Sequence, residues 1–325
     1  MRMASPLISL VVPCYNEEEN IDSIYGAMTD AFRSSPDISL EIVFVNDGSS
    51  DRTAEMLDRH AAADDRLSVI HLSRNFGHQA AVSAGLEHAQ GDAVIVLDAD
   101  MQDPPIVAVE MVEKWREGAD VVYAVRQKRK EGIGKRLSYK LFYRLMGRMS
   151  SIRMPLDSGD FGLIDRQALD AMLALPERNR FVRGLRAWVG FKQVGLTYER
   201  HARAAGEPKY NFRRLVKLAA DGIFNFSTVP LRAIFNFGLV ICVATVLIGL
   251  FLVVQRLFDF SIFGVRSSDV PGFTSLALAL MLLFGMNFIV LGVIAEYVGR
   301  IYEEVKGRPT YISRTVARSR YASRK

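Results

Sequence analysis

Short, β-branched and nearly continuous apolar runs recur through the first 210 or so residues. They are Ile8–Val12, Leu40–Asn46, Leu67–Leu72, Ala93–Leu97 and Asp120–Val125. A run without polar alternation suits a strand covered on both faces, as in a parallel sheet. Helical stretches separate them: Glu17–Phe32, Asp51–Ala63, Phe76–Ala89 and Pro105–Arg116. Pro104 and Pro105 stand where the start of a helix tolerates proline, and Gly118 stands where a helix can stop. The order βαβαβαβαβ predicts an α/β fold with a doubly wound, mostly parallel sheet of the nucleotide-binding type. Ligands of such sheets gather beyond the carboxyl ends of the strands.

The pattern changes after Arg232. No charged side chain occurs from Ala233 to Gln255, a run of 23 residues, or from Val270 to Ala295, a run of 26. About 20 apolar residues cross a hydrocarbon core, so residues 233–299 are expected to form a transmembrane hairpin, with spans at about 233–255 and 272–296. Residues 211–232 mix Phe212, Leu215, Ile223 and Phe224 with Arg213, Arg214 and Lys217, as an amphipathic juxtamembrane helix would. Residues 300–325 carry Arg300, Lys306, Arg308, Arg314, Arg318, Arg320, Arg324 and Lys325 and are expected to be a basic cytoplasmic tail. Basic flanks stay in the cytoplasm, which puts both termini and residues 1–210 on that side. The opening residues lead into a β-like run, so no secretory signal is expected.

Composition narrows the class. Of 325 residues, 50% are hydrophobic and 24% charged, which excludes a disordered or collagen-like chain. The formal net charge is +5, a modest excess, and no nucleic-acid partner is expected. Cys14 and Cys242 are the two cysteines, too few for a disulfide framework, and a reducing compartment follows.

Polar clusters follow the predicted strands. After the first come Pro13, Cys14, Tyr15, Asn16 and Glu17; after the second, Asn46, Asp47, Gly48 and Ser49; after the fourth, Asp98, Ala99, Asp100, Met101 and Gln102. Asn20, Asp51 and Thr53 can serve as helix caps, and Asp47-Gly48 as a turn. Caps do not account for Asp98 and Asp100, which end an apolar strand two residues apart and point to one side. Two carboxylates there repel unless a cation sits between them. Hard oxygen ligands favour Mg²⁺ or Mn²⁺, ions that bridge to phosphate. The chain has no G-x-x-x-x-G-K-[ST], no G-x-G-x-x-G after the first strand and no H-E-x-x-H. The five histidines, His60, His71, His78, His88 and His201, show no ligand spacing, so solvated or core positions are expected for most of them.

These motifs, with Asp157-Ser158-Gly159-Asp160-Phe161, the Arg203–Lys209 segment and the two apolar runs, resemble family 2 glycosyltransferases of GT-A fold. Within them the chain is similar to the polyprenyl-phosphate glycosyltransferases, over nearly its whole length. The resemblance implies a GT-A catalytic domain over 1–210 that moves a sugar, glucose first, from a UDP-sugar donor to polyprenyl (undecaprenyl) phosphate, with inversion. It implies that Pro13, Tyr15, Glu17 and Asp47 line the nucleotide pocket and that Asp98, Asp100 and Gln102 hold the metal. Gln102 has the alternative of a polar residue at a helix entry. It further implies that Asp157 orients or activates the acceptor, and that the enzyme is a homo-oligomer, a tetramer, at a bacterial inner membrane.

An anionic acceptor approaching an anionic donor needs positive charge. Arg126, Arg203 and Lys209 are the candidates for contact with the acceptor phosphate, with solvated surface positions as the alternative. A phosphate monoester is already largely ionised near neutral pH, so a strong base is unnecessary and positioning carries most of the rate. Two other readings compete: a processive polysaccharide synthase, although Phe181–Trp188 lacks a Q-x-x-R-W pattern, and a membrane scaffold without catalysis.

Overall fold

The computed structural model describes residues 5–126, 158–178, 180–199 and 272–321, with isolated positions between 240 and 258; in α7, introduced below, only part of the side chains is described. Two compact units emerge. One comprises residues 1–222 and 307–325, the other residues 223–306.

The first unit is built on an eight-stranded sheet. Its strands are β1 (Leu7–Cys14), β2 (Ser39–Asn46), β3 (Leu67–Leu72), β4 (Ala93–Val96), β5 (Val121–Arg126), β6 (Ser158–Asp165), β7 (Gln193–Tyr198) and β8 (Ser313–Ala317), in the order β7-β5-β6-β4-β1-β2-β3-β8. β1 pairs in parallel with β2 and β4, β2 with β3, and β5 with β7. β6 runs antiparallel between β4 and β5, and β8 antiparallel on β3. The α/β, mostly parallel sheet expected from the apolar runs is therefore present.

Helices cover both faces, which is why the strands carry no polar alternation. Alternate residues of β1 (Ile8, Leu10, Val12 and Cys14) join Ile42, Phe44, Ile95 and Leu97 in one core with α1 (Ile21–Arg33) and α4 (Pro105–Arg116), which add Ile24, Met28, Met111 and Trp115. α2 (Thr53–Ala63) packs on β3. Val11 and Val45 point the other way, to α3 (His78–His88). Gly85 lets α3 come that close: a Cβ there would stand 2.3 Å from Val11 Cγ1. Two shorter helices, α5 (Arg166–Leu173) and α6 (Val182–Trp188), follow β6.

α1 begins at Ile21, four residues later than the hydrophobic period suggests. Glu17 to Asn20 forms a separate turn, closed by Asn20 N–H on Glu17 O and tied across the chain by Glu17 N–H donating to Thr53 Oγ1 at 2.9 Å. Asn20 stands at the N-cap position of α1 without a side-chain cap bond; its side-chain amide donates instead to Glu17 Oε2 at 2.7 Å. Asp51 stands one residue before the N-cap position of α2, which Arg52 occupies, and accepts from Thr53 N–H at 3.0 Å.

The segment read as a basic tail is structured through residue 321. Ile312 O accepts from Ser73 N–H at 2.8 Å, β8 then zips onto β3, and Ser319 Oγ donates to Glu41 Oε1 at 2.9 Å. Glu41 is fully buried, and its Oε2 also accepts from Ser9 Oγ and Gln90 N–H.

In the second unit, α7 (Gly272–Val305) is a 34-residue helix covering most of the second uncharged run. Leu276, Leu280, Leu283, Phe284, Leu291 and Ile294 are exposed along it. Among the described residues, no helix is long and apolar enough to cross a membrane. The first expected span and the amphipathic segment lie almost wholly outside the described residues.

Candidate active site

The carboxyl ends of β1, β2 and β4 are brought level by the parallel register, in which Cys14 pairs with Asn46 and Val11 with Val96. Beyond β1 the chain turns through Asn16 in left-handed backbone (φ 52°), leaving Tyr15 exposed. Asn16 Oδ1 accepts from Ser50 N–H at 2.9 Å, and Ser49 Oγ accepts from Asn16 N–H at 3.0 Å. The loops after β1 and β2 are thus tied together, with Tyr15 and Glu17 on the first of them, while Pro13 is buried within β1 opposite Val45.

Asp47 is buried in the second of these loops. Its two oxygens accept from the backbone of Phe76 (2.7 Å) and Gly77 (3.0 Å), at the entry to α3. Burial raises its pKa, and those two N–H donors and nearby cations only partly offset the shift. Each carboxylate oxygen has a second lone pair, so Asp47 can organise the loop and still accept from a ligand.

Asp98 and Asp100 follow β4, with Asp100 buried and Asp98 about a third exposed. Met101 adopts left-handed backbone (φ 59°), an uncommon state for a bulky residue that turns the chain sharply between Asp100 and Gln102. Gln102 N–H donates to Asp100 Oδ1 at 3.2 Å. Asp103, fully buried, accepts from the Tyr198 hydroxyl and fixes the far end of the loop. Burial first, then the charges of Asp103, Asp160 and Asp100, raise the pKa of Asp98 against the opposing effect of His78. That crowding of negative charge suits a cation. Among the described residues no three His, Cys, Asp or Glu side chains converge as a ligand set. Two carboxylates completed by diphosphate oxygens and water match how Mg²⁺ is usually held, so the donor chemistry fits a divalent ion at Asp98 and Asp100.

Sequence reasoning missed the cationic half of the site. His78 opens α3, and its Nε2 lies 3.2 Å from Asp160 Oδ2 and 3.9 Å from Asp98 Oδ1. Asp160 also accepts from Gln79 Nε2 (3.1 Å) and from Arg183 Nε and Nη2 (3.1 and 3.2 Å). Arg186, one helical turn on and buried, donates to the main-chain oxygens of Gly159 and Asp160. Burial opposes charge on His78, but the hydrogen bond to Asp160 and the charges of Asp98 and Asp160 outweigh it, holding the imidazole up to about 9. Burial lowers Arg186 to about 10. The sequence held one clue, the i, i+3 spacing of Arg183 and Arg186, which puts both on one helix face. Of the predicted acceptor-side residues, Asp157, Arg203 and Lys209 lie outside the described residues, as does the side chain of Arg126.

Against known proteins, the profile described as glycosyl transferase family 2 matches residues 9–173. An uncharacterized glycosyltransferase, YkcC, of Bacillus subtilis (strain 168) is 45% identical over 305 residues, 94% of this chain and 92% of that one. The chain belongs to glycosyltransferase family 2. The bactoprenol glucosyl transferase of Shigella phage SfII is 41% identical to this family 2 enzyme over 306 residues, 94% of this chain and 96% of that one. A solved glucosyl-3-phosphoglycerate synthase from Mycobacterium tuberculosis aligns at TM-score 0.46 and 19% identity, covering 68% of this chain and 79% of that one. The GT-A reading of the α/β unit thus rests on family membership, and the loops after β1, β2 and β4 lie inside the matched region.

Proposed function

We propose that this family 2 enzyme transfers a hexose, glucose first, from a UDP-sugar to polyprenyl (undecaprenyl) phosphate at a bacterial inner membrane, releasing UDP. The observation that carries the reading is the pairing of a carboxylate site at Asp98 and Asp100 with a cationic group on Asp160, bridged by His78. One side suits a metal-bound diphosphate and the other an anionic acceptor. Likeness to a bactoprenol glucosyl transferase over 94% of the chain supports the acceptor class and the sugar.

Asp98 and Asp100, with Gln102 beside them, would hold Mg²⁺ or Mn²⁺, which when bound neutralises charge on the departing diphosphate. The chain's own groups do the rest. Pro13, Tyr15 and Glu17 line the pocket for the base and ribose, and Asp47 fixes the backbone at the entry to α3. Asp157 orients the acceptor phosphate. Its oxygen attacks the anomeric carbon from the face opposite UDP, with inversion, and needs no strong base because it is already ionised.

The exposed apolar side chains of α7 support a bilayer partner, since a stripe that long is unfavourable in water. A hairpin formed by 233–255 and 272–296 would keep the acceptor's tail in lipid. The deciding experiment offers a panel of UDP- and GDP-sugars with undecaprenyl phosphate and Mg²⁺ or Mn²⁺. A lipid-linked monosaccharide from UDP-glucose is expected. Polymer, or no product from any donor, contradicts the reading.

A further inference from the structure

Residues 308–321 run as a strap along the β3 edge of the sheet. Near its start the Tyr311 hydroxyl donates to Glu87 Oε2 at 2.8 Å, and the Tyr311 ring lies beside that of His88, centroids 6.5 Å apart. Ile312 O accepts from Ser73 N–H at 2.8 Å. β8 then pairs along β3. At the far end Ser319 N–H donates to Ser68 Oγ at 2.9 Å and Arg320 N–H to Asp65 O at 2.8 Å.

The upper end of the strap touches the loop that leads into the site. Ser73 is the first residue after β3, and residues 73–77 connect that strand to α3, which His78 opens. The other side of this loop rests on the turn after β2. There Asp47 accepts from Phe76 and Gly77 N–H. Gly48, in left-handed backbone (φ 68°), lets the two chains meet: a Cβ on it would stand 2.4 Å from the Arg74 carbonyl carbon and 2.6 Å from Asn75 N. Loop 73–77 is therefore fixed between two walls, the Asp47–Gly48 turn and Ile312. α3 is tied at both ends as well, through Gly77 to Asp47 and through Glu87 to Tyr311. Lifting the strap would take the acceptor from Ser73 N–H and this donor from Glu87, and a main-chain N–H without its partner is costly.

We propose that the strap, pinned by Tyr311, is a positioning element of the nucleotide pocket: it fixes the loop whose backbone Asp47 holds, and nucleotide bound at Asp47 in turn tightens the strap. The assignment rests on the proposed place of Asp47 in that pocket. Such coupling is reciprocal, because both partners favour the same ordered loop. The loop loses its freedom once, and the second partner meets it already ordered.

The test uses the full-length protein. In hydrogen exchange, UDP with Mg²⁺ should slow residues 73–78 and also 311–317, with no comparable slowing at β7, on the opposite edge of the sheet. Slowing at 73–78 alone overturns the assignment, and so does equal slowing at β7, which would mark a general gain of stability. In the other direction, Tyr311→Ala should weaken UDP binding and raise the KM for UDP-glucose about fivefold or more, the lower end of usual coupling between sites. The KM for polyprenyl phosphate should stay within about twofold. Tyr311→Phe keeps the ring and loses only the hydrogen bond to Glu87, so it should fall between the parent and Tyr311→Ala. Unchanged UDP affinity in folded Tyr311→Ala, or a parallel rise in both KM values, overturns the proposal. Should the variants fail to fold, the exchange pattern of the unaltered protein decides. If UDP neither binds nor slows exchange at 73–78, the nucleotide reading fails and this assignment falls with it. UDP that binds while the strap stays indifferent sinks only the assignment.

Discussion

Replacing Asp160 by Asn removes the charge on which His78, Gln79 and Arg183 converge and leaves Arg183 and Arg186 cationic. Arg183 meets the carboxylate through two hydrogen bonds, at 3.1 and 3.2 Å, and His78 and Gln79 add one each. Hydrogen bonds to a charged group contribute about 1.5–3 kcal/mol apiece. Removing one partner of a buried ion pair costs about 3–5 kcal/mol, because the survivor keeps its desolvation penalty. Asp160→Asn should therefore lower the unfolding free energy by about 3–5 kcal/mol at pH 7. The pH dependence gives a second handle. Burial alone would raise the Asp160 pKa, but the charge of Arg183 and the hydrogen bond from His78 hold it well below the usual carboxylate range. A depressed folded pKa contributes stability above the unfolded value of about 3.9, and that contribution is lost as pH falls below it. Denaturant unfolding followed by circular dichroism at pH 7 and at about pH 3.5 reads both effects. The parent should lose stability on acidification, and the variant should lose less. A variant within about 1 kcal/mol of the parent at pH 7, or equally acid-sensitive, would refute the buried ionised anchor.

Asp100→Asn should reduce turnover at saturating metal more than Asp157→Asn, since positioning and charge neutralisation dominate a reaction whose nucleophile is already ionised. A steady-state kcat comparison with the order reversed would contradict that. Glu41→Ala strips the acceptor from Ser9, Gln90 and Ser319 in a fully buried setting. It should cost about 2–4 kcal/mol and speed tryptic cleavage at Arg314 and Arg318, whereas unchanged proteolysis would mean that the β8 segment is held by its strand pairing alone.

The five short apolar runs all became strands because full burial on both faces leaves a pattern that local sequence carries. Asp98 and Asp100 were legible for a related reason, as charged residues ending an apolar run. β8 was not: Ser313–Ala317 is a short edge strand in a basic stretch, and its fit depends on Ser68, Ser73 and Glu41, far away in sequence. Charge on an edge strand also discourages unwanted pairing, so basic composition and strand formation are compatible there. The start of α1 moved because Thr53 captures Glu17, a tertiary contact that propensity does not see. His78 was hardest to read. Its partners stand at Asp98 and Asp160, so only the assembled sheet, with β6 inserted between β4 and β5, brings the three together.

The central claim is that a divalent ion at Asp98 and Asp100 lets two anionic substrates react. Transfer of radiolabelled glucose from UDP-glucose to undecaprenyl phosphate, run with excess chelator, with Mg²⁺ or Mn²⁺ restored, and with the Asp98→Ala/Asp100→Ala double variant, tests it most directly. The account predicts loss of lipid-linked product on chelation, recovery when the ion returns, and no recovery in the double variant. Undiminished transfer under chelation, or by the double variant, would contradict it.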